Sequence, residues 1–111
     1  MQSGLIQKLS PALKGAQRRQ LRGLAHSLKP VVQVGQQGVT EMVIRQLETA
    51  LYDHELVKVK INNTFDGEIE DAASALAEGT GSACVQQIGH ILVYYKANPD
   101  KPVIELVRAG D

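Results

Sequence analysis

The segment Leu56–Ile61 restricts the possible folds of this chain more than any other part of the sequence. Within it, Val57 and Val59 alternate with Lys58 and Lys60. Successive side chains of a β-strand point to opposite faces of a sheet, so the alternation predicts a strand with one buried face and one face that carries two lysines. The chain must therefore form a sheet whose apolar face is covered by other elements.

The flanking sequence predicts the other elements of an α/β domain. Ser10 before Pro11 is typical of a helix start, and Thr40 is a good cap for a second helix. Gly89-His90, between two apolar runs, indicates a β-hairpin. Together these patterns predict helices at about 11–27, 41–53 and 68–78, and strands at 31–34, 56–61, 83–88 and 91–96.

The predicted order is α-β-α-β-α-β-β, which implies a mixed four-stranded sheet in a single α/β domain. Right-handed crossovers place the first two strands parallel. We expect the helices to pack on one face and the lysines of the central strand to lie on the other, partly open face. Of Tyr94 and Tyr95, which alternate in facing, at most one is a stacking surface for a base and the other is core.

The 111 residues of the chain suffice for one domain. We expect residues 1–9 to be a flexible lead-in and residues 10–97 to be the domain. Residues 98–111 are then a tail, in which 103–107 is a possible short edge strand. No apolar run has the roughly 20 residues of a membrane span, and no signal peptide is recognisable. With one cysteine and hence no internal disulfide, we expect a cytoplasmic protein.

Basic and acidic residues are separated along the chain, although the formal net charge is zero. Residues 1–40 contain six basic residues and no acid, whereas residues 41–82 contain nine acids and three basic residues. This asymmetry indicates one positive and one negative face on the folded domain. A positive face on a neutral protein can bind a polyanion, because phosphate contacts are local and screened within about 8 Å at physiological salt. Ordinary solvated surface is the alternative interpretation.

The segment Gly35-Gln36-Gln37-Gly38 is the one local motif with a mechanism. Its two glycines permit a sharp turn and a close approach of the backbone to a ligand. The helix that begins after Thr40 adds free N–H groups and a positive dipole end. In nucleic-acid binders of the KH type, a G-x-x-G loop clamps the nucleotide backbone. A plain turn between a strand and a helix is the alternative.

Enzyme chemistry finds little support in the sequence. His26, His54 and His90 lie far apart in different predicted elements, and none has a partner at metal-ligand spacing. Cys84 in a strand is more often a small core residue than a nucleophile. Neither a Walker pattern nor a dinucleotide-binding glycine pattern is present. We therefore predict a protein without catalysis, metal or cofactor.

Five segments follow one another in a distinctive order: LRGLAHSLKPVV at 21–32, VGQQGVT at 34–40, HELVKVKI at 54–61, IG at 88–89 and LVYYK at 92–96. Together they resemble a known family, the CRM domain, which is the chloroplast RNA splicing and ribosome maturation module. The resemblance is to its single-domain bacterial form, called YhbY-like, and extends over roughly residues 10–97.

This resemblance implies a fold like the C-terminal domain of bacterial translation initiation factor three. It also implies RNA binding and, for stand-alone bacterial members, association with precursors of the large ribosomal subunit. Family loops often carry a basic residue between the glycines, but this chain has Gln36 and Gln37, which can donate hydrogen bonds and add no charge. The preceding helix must then supply more of the electrostatic attraction.

The leading hypothesis is an RNA-binding factor in large-subunit assembly, monomeric, with no membrane and no small-molecule substrate as partner. Helix and linker cations bind phosphate, the glycine loop clamps the backbone, and lysines on the sheet form a second tier. The predicted binding residues are Lys14, Arg18, Arg22, Lys29, Gly35, Gln36, Gln37, Gly38, Thr40, Lys58, Lys60 and Lys96. Two alternatives stay open: a protein-interaction adaptor that uses the acidic helices, and a splicing factor for intron RNA, as in plant relatives.

Overall fold

The computed structural model describes residues 13–108, which form three helices and one four-stranded sheet. The predicted order of elements is confirmed. The elements are α1 (Gly15–Ala25), β1 (Val32–Val34), α2 (Glu41–His54), β2 (Leu56–Ile61), α3 (Ile69–Thr80), β3 (Ala83–Ile88) and β4 (Ile91–Tyr95). Among these helices none is long and apolar enough to cross a membrane.

At the start of each of the first two helices, a side chain accepts a hydrogen bond from a backbone N–H group. At α1, the Gln17 Oε1 atom accepts a hydrogen bond from the Lys14 backbone N–H at 3.0 Å. Ser10 and Pro11 lie outside the described residues, but this helix begins only at Gly15, so the start predicted at about residue 11 is too early. At α2, the Thr40 Oγ1 atom accepts from the Val43 N–H at 3.2 Å, which confirms the predicted cap.

The third helix runs further than its glycines predicted. Gly79 lies inside α3, and the helix ends at Gly81, which has a left-handed φ of 68°. Gly79 is needed for packing, because a Cβ at this position would come within 2.5 Å of the Ile44 Cδ1 atom on α2. The absence of a side chain at this glycine thus permits the close approach of α2 and α3.

The strand order in the sheet is β1-β2-β4-β3. The predicted parallel pairing of β1 with β2 is confirmed, and Val34 lies opposite Ile61 in the register. Strand β4 pairs antiparallel with both β2 and β3, and a bulge interrupts β3 between Cys84 and Gln86. The predicted turn at Gly89 is also present, with a φ of 56°.

Helices α2 and α3 cover one face of the sheet and enclose the larger core. Its buried side chains come from every strand but β3 and from both helices, and they are aliphatic except for one tyrosine. They are Val32, Val34, Leu47, Leu51, Val57, Val59, Ile61, Ala72, Ala73, Leu76, Leu92 and Tyr94.

Helix α1 packs on the opposite face, so the prediction that all helices share one face is wrong. Its side chains Leu21 and Ala25 are buried against Leu56, Val93 and Tyr95, which share the face of the sheet that carries the β2 lysines. The large apolar side chains at one end of that face are shielded from water by α1, whereas the lysines lie farther along β2. Because Tyr95 is buried here and its neighbour in the larger core, neither tyrosine is a stacking surface.

The tail after β4 lies along α1 and adds no strand, so the predicted edge strand at 103–107 is wrong. Side chains, rather than a neighbouring strand, satisfy its backbone. The Glu55 carboxylate accepts hydrogen bonds from the N–H groups of Asn98, Val103 and Ile104 at 2.6–2.9 Å. Gln20 accepts from the Val107 N–H at 2.7 Å. Residues 98–107 thus form a strap that holds the outer flank of α1, with Ile104 also packed into the smaller core.

Candidate functional site

The two faces of the sheet differ sharply in charge. Helices α2 and α3 expose six acids, at Glu41, Glu48, Asp53, Glu70, Asp71 and Glu78. On the other side, α1 and the lysine-bearing face of β2 expose cations instead. Within residues 13–108 the one ion pair joins Arg45 and Glu41 of α2, at 3.5 Å, so the cations of α1 carry no carboxylate partner in this part of the chain.

A basic ridge, defined here as Lys14, Arg18 and Arg22, runs along α1. Positions four apart lie on neighbouring turns of one helix face. Lys14 is exposed and the two arginines are half-buried. Gln20 of α1 binds the strap. At 100° per residue, Arg18 and Arg22 lie on the other side of the buried Leu21 from Gln20. The ridge therefore follows the flank of α1 that is opposite to the strap.

The lysines of β2 lie on this open part of the sheet. Lys58 is half-buried, and its Nζ atom donates a hydrogen bond to the Leu28 carbonyl at 3.1 Å. That bond joins the sheet to the linker after α1, where Lys29 is exposed. Lys60 is exposed and pairs in register with Ile91 of β4 and with β1. The open face is thus cationic from its border with α1 to its far end.

The glycine loop Gly35–Gly38 lies at that far end, directly after β1. The Gly38 N–H donates to the Gly35 carbonyl at 2.9 Å, and Gly38 has a φ of 76°, which residues other than glycine rarely adopt. Gln36 and Gln37 are exposed at the tip. The loop therefore presents two amides to solvent and no bulky side chain at its last position.

Two of the predicted binding residues, Lys96 and Thr40, have side chains that form hydrogen bonds within the fold, and Lys96 also lies away from the other cations. The Lys96 Nζ atom donates to the Thr80 carbonyl at 2.7 Å, at the end of α3. Lys96 follows β4 next to the start of β2, so it lies at the opposite end of the sheet from the glycine loop. The structure does not bring it together with Lys58 and Lys60. The hydroxyl of Thr40 is occupied as the cap of α2.

A groove between the end of α1 and the open sheet contains residues that sequence reasoning did not assign to the site. It has a volume of about 270 Å³ and is lined by Ala25, His26, Lys58, Gln86, Ile88, Ile91 and Val93. From the sequence, His26 was considered only as a possible metal ligand, and it has no partner at ligand spacing. The signal that marks Gln86 and Ile88 is their spacing of two on β3, which places them on one face of the sheet.

The fold and the site define a small α/β domain with one cationic face that ends in a glycine loop. The model of the CRS1 / YhbY (CRM) domain matches residues 13–96. The chain therefore belongs to the CRS1/YhbY (CRM) domain family, as the resemblance predicted.

Relatives with curated names are similar over most of their length. Probable RNA-binding protein YqeI of Bacillus subtilis is 42% identical over 94 residues, which are 85% of this chain and 98% of the relative. An RNA-binding protein of Haemophilus influenzae is 41% identical over 91 residues, 82% of this chain and 92% of the relative. The solution structure of hypothetical protein SAV1595 from Staphylococcus aureus superposes with a TM-score of 0.73 at 36% identity, covering 86% of this chain and 100% of that one.

Proposed function

We propose that this protein binds RNA through its cationic face and assists, without catalysis, the assembly of the large ribosomal subunit by binding ribosomal RNA in its precursors. The single observation that carries the RNA contact is the basic ridge on α1, which has no carboxylate partner within residues 13–108, beside an open sheet face with two lysines. The names of the relatives, which are RNA-binding proteins, support the same ligand. The protein acts as a cytoplasmic monomer in this proposal.

The parts of the face have different roles. Arginine and lysine side chains bind phosphate oxygens and fix the orientation of the RNA. The cations that the structure brings to this face are Lys14, Arg18, Arg22, Lys29, Lys58 and Lys60. The loop Gly35–Gly38 admits the RNA backbone closely, and the amides of Gln36 and Gln37 donate to phosphate or sugar oxygens. Lys96 is proposed only as a peripheral contact, because it lies at the other end of the sheet.

The number of cations sets the expected strength of the electrostatic attraction. Each phosphate neutralised releases a counterion, so the logarithm of affinity falls by roughly 0.9 per contact for each ten-fold rise in salt. Six contacts predict a loss of about three orders of magnitude in affinity between 50 and 200 mM salt. Such a steep dependence is typical of a phosphate-binding face and distinguishes it from an apolar interface.

Crosslinking the protein to RNA in cells and sequencing the attached fragments tests which RNA is bound. We expect most fragments to come from the large-subunit ribosomal RNA, and the protein to sediment with large-subunit precursors rather than mature ribosomes. The variant Arg18→Glu with Arg22→Glu should lose these crosslinks while remaining folded. Crosslinks spread over messenger RNA, or concentrated in introns, would contradict the ribosomal proposal and leave RNA binding itself in place.

A second candidate function rests on the exposed acids of α2 and α3. An acidic surface opposite the RNA face suits contact with a basic ribosomal protein, and the chain would then be an adaptor on the precursor particle. Reversal of Glu70 and Asp71 to lysine should in that case abolish sedimentation with the precursors and leave binding to purified RNA unchanged. If sedimentation persists in that variant and is lost with the arginine reversal, the adaptor function is excluded.

A further inference from the structure

We propose that the groove between the end of α1 and the open sheet binds one unpaired base of the RNA. This inference rests on the proposed function, and it adds to the phosphate face a site that distinguishes unpaired from paired nucleotides. The juxtaposition that carries it is an apolar floor, a free amide and an imidazole within one cationic surface.

The floor of the groove is apolar and suits the flat face of a base. Ala25 and Val93 are almost completely buried at its bottom, and Ile91 is half-buried beside them. Ile88 stands at the side with 62% of its surface exposed, at the end of β3. Unpaired bases bind in protein pockets by packing between aromatic and apolar side chains, and a base over Ile88 would cover this exposed side chain.

The rim of the groove carries groups that recognise the polar edge of a base. Among the described residues, neither the Gln86 amide nor the His26 imidazole forms a side-chain hydrogen bond. The Gln86 amide offers one acceptor and two donors, which can pair with the Watson–Crick edge of a base. The His26 ring, exposed at the end of α1, provides a planar surface for stacking.

The charge around the groove matches a nucleotide rather than an apolar peptide. Among the described residues no acid lines it, whereas Lys58 does. Arg22 lies one helical turn before His26, and Lys60 pairs in register with Ile91 at the other side. A nucleotide with its base in the groove would thus have cations on both sides for its phosphates. Because Arg22 belongs to the basic ridge, one RNA strand can contact both the groove and the ridge.

The test compares two RNA duplexes with the same number of phosphates, one fully paired and one with a single unpaired 2-aminopurine. Fluorescence anisotropy gives the Kd of each for the full-length protein at fixed salt. We expect the wild-type protein to prefer the RNA with the unpaired base by about ten-fold, the size of a single stacking contact. The fluorescence of 2-aminopurine should change on binding.

The variants Gln86→Ala and Ile88→Ala should remove this preference and leave affinity for the paired duplex, and its salt dependence, unchanged. Gln87→Ala is the matched control, because Gln87 is an exposed neighbour on the opposite face of β3. It should retain the full preference. All three substitutions are on or near the surface, and circular dichroism checks that the fold is intact.

Three outcomes would overturn the groove proposal while RNA binding stands. The wild-type protein could bind both duplexes equally, the preference could persist in the Gln86 and Ile88 variants, or it could be lost equally in the Gln87 control. A wild-type protein that binds neither RNA would instead overturn the proposed function. The two failures are therefore distinguishable in one set of titrations.

Discussion

Replacement of Glu55 by alanine should release the strap and destabilise the protein by about 3 kcal/mol. Glu55 is 1% exposed, and its carboxylate accepts three backbone N–H bonds from the tail, which lies 43–49 residues further along the chain. Hydrogen bonds to a charged group contribute roughly 1.5–3 kcal/mol each. Their full sum is an upper limit, because the freed tail can leave the surface and its N–H groups can bind water.

Two further substitutions distinguish the contribution of the carboxylate to stability from the contribution of the backbone conformation at this position. Glu55→Gln keeps the shape and one acceptor oxygen, so we expect roughly half of the loss. Glu55→Gly removes the same bonds as alanine but relieves the backbone, because Glu55 has a positive φ of 64°. A non-glycine residue at such a sparsely populated positive φ costs roughly 1–3 kcal/mol, so the glycine variant should be more stable than the alanine variant by about that amount.

Urea denaturation measures the free energy of unfolding of the three variants, and limited trypsin digestion reports the release of the strap. Cleavage after Lys96, which lies just before the strap and is followed by Ala97, should become much faster in Glu55→Ala than in the wild-type protein, well below the urea midpoint, since only the tail must open. A loss under 1 kcal/mol in Glu55→Ala, together with a tail still resistant to trypsin, would refute the reasoning that this carboxylate holds the strap.

Further predictions concern the loop, the thiol and the larger core. Gly38→Ala should destabilise the fold by about 1 kcal/mol in urea denaturation because of its positive φ, whereas Gly35→Ala, with only ordinary contacts, should have little effect. Burial raises the pKa of the Cys84 thiol, so less thiolate is present at neutral pH; alkylation by iodoacetamide should be slower than for a free thiol and still rise above pH 9. Tyr94→Phe removes the hydroxyl that donates to the Ala73 carbonyl at 2.8 Å, and should lower the free energy of unfolding by about 1 kcal/mol.

Features fixed by local sequence were predictable. The alternation in β2, the Thr40 cap and the turn at Gly89 depend on residues within a few positions of each other, and each is present in the structure. The parallel pairing of β1 and β2 followed from a general rule of crossover handedness. These elements needed no knowledge of distant contacts.

The side of the sheet that α1 occupies was not predictable from the same signals. The lysines of β2 indicated an open face, but Leu56 and Tyr95 provide an apolar surface at one end of that face. Their proximity arises only from the antiparallel pairing of β2 with β4. Once that register is known, alternation along β4 also places Lys96 on the face opposite to Lys58.

The role of Glu55 was also not predictable from the sequence. A glutamate after a helix is ordinarily solvated, and its burial here depends on partners more than 40 residues away. For the candidate site, the basic ridge and the loop were visible as local patterns. The groove was not, because His26 and Gln86 are brought together only when α1 packs on the sheet.

The affinity for structured RNA as a function of salt tests the central claim most directly. We predict that the wild-type affinity falls by about three orders of magnitude between 50 and 200 mM salt. Arg18→Glu with Arg22→Glu should bind much more weakly and have a shallower slope, since about two phosphate contacts are lost. A flat salt response of the wild-type protein, or unchanged binding by the double variant, would contradict the account of a phosphate-binding ridge on α1.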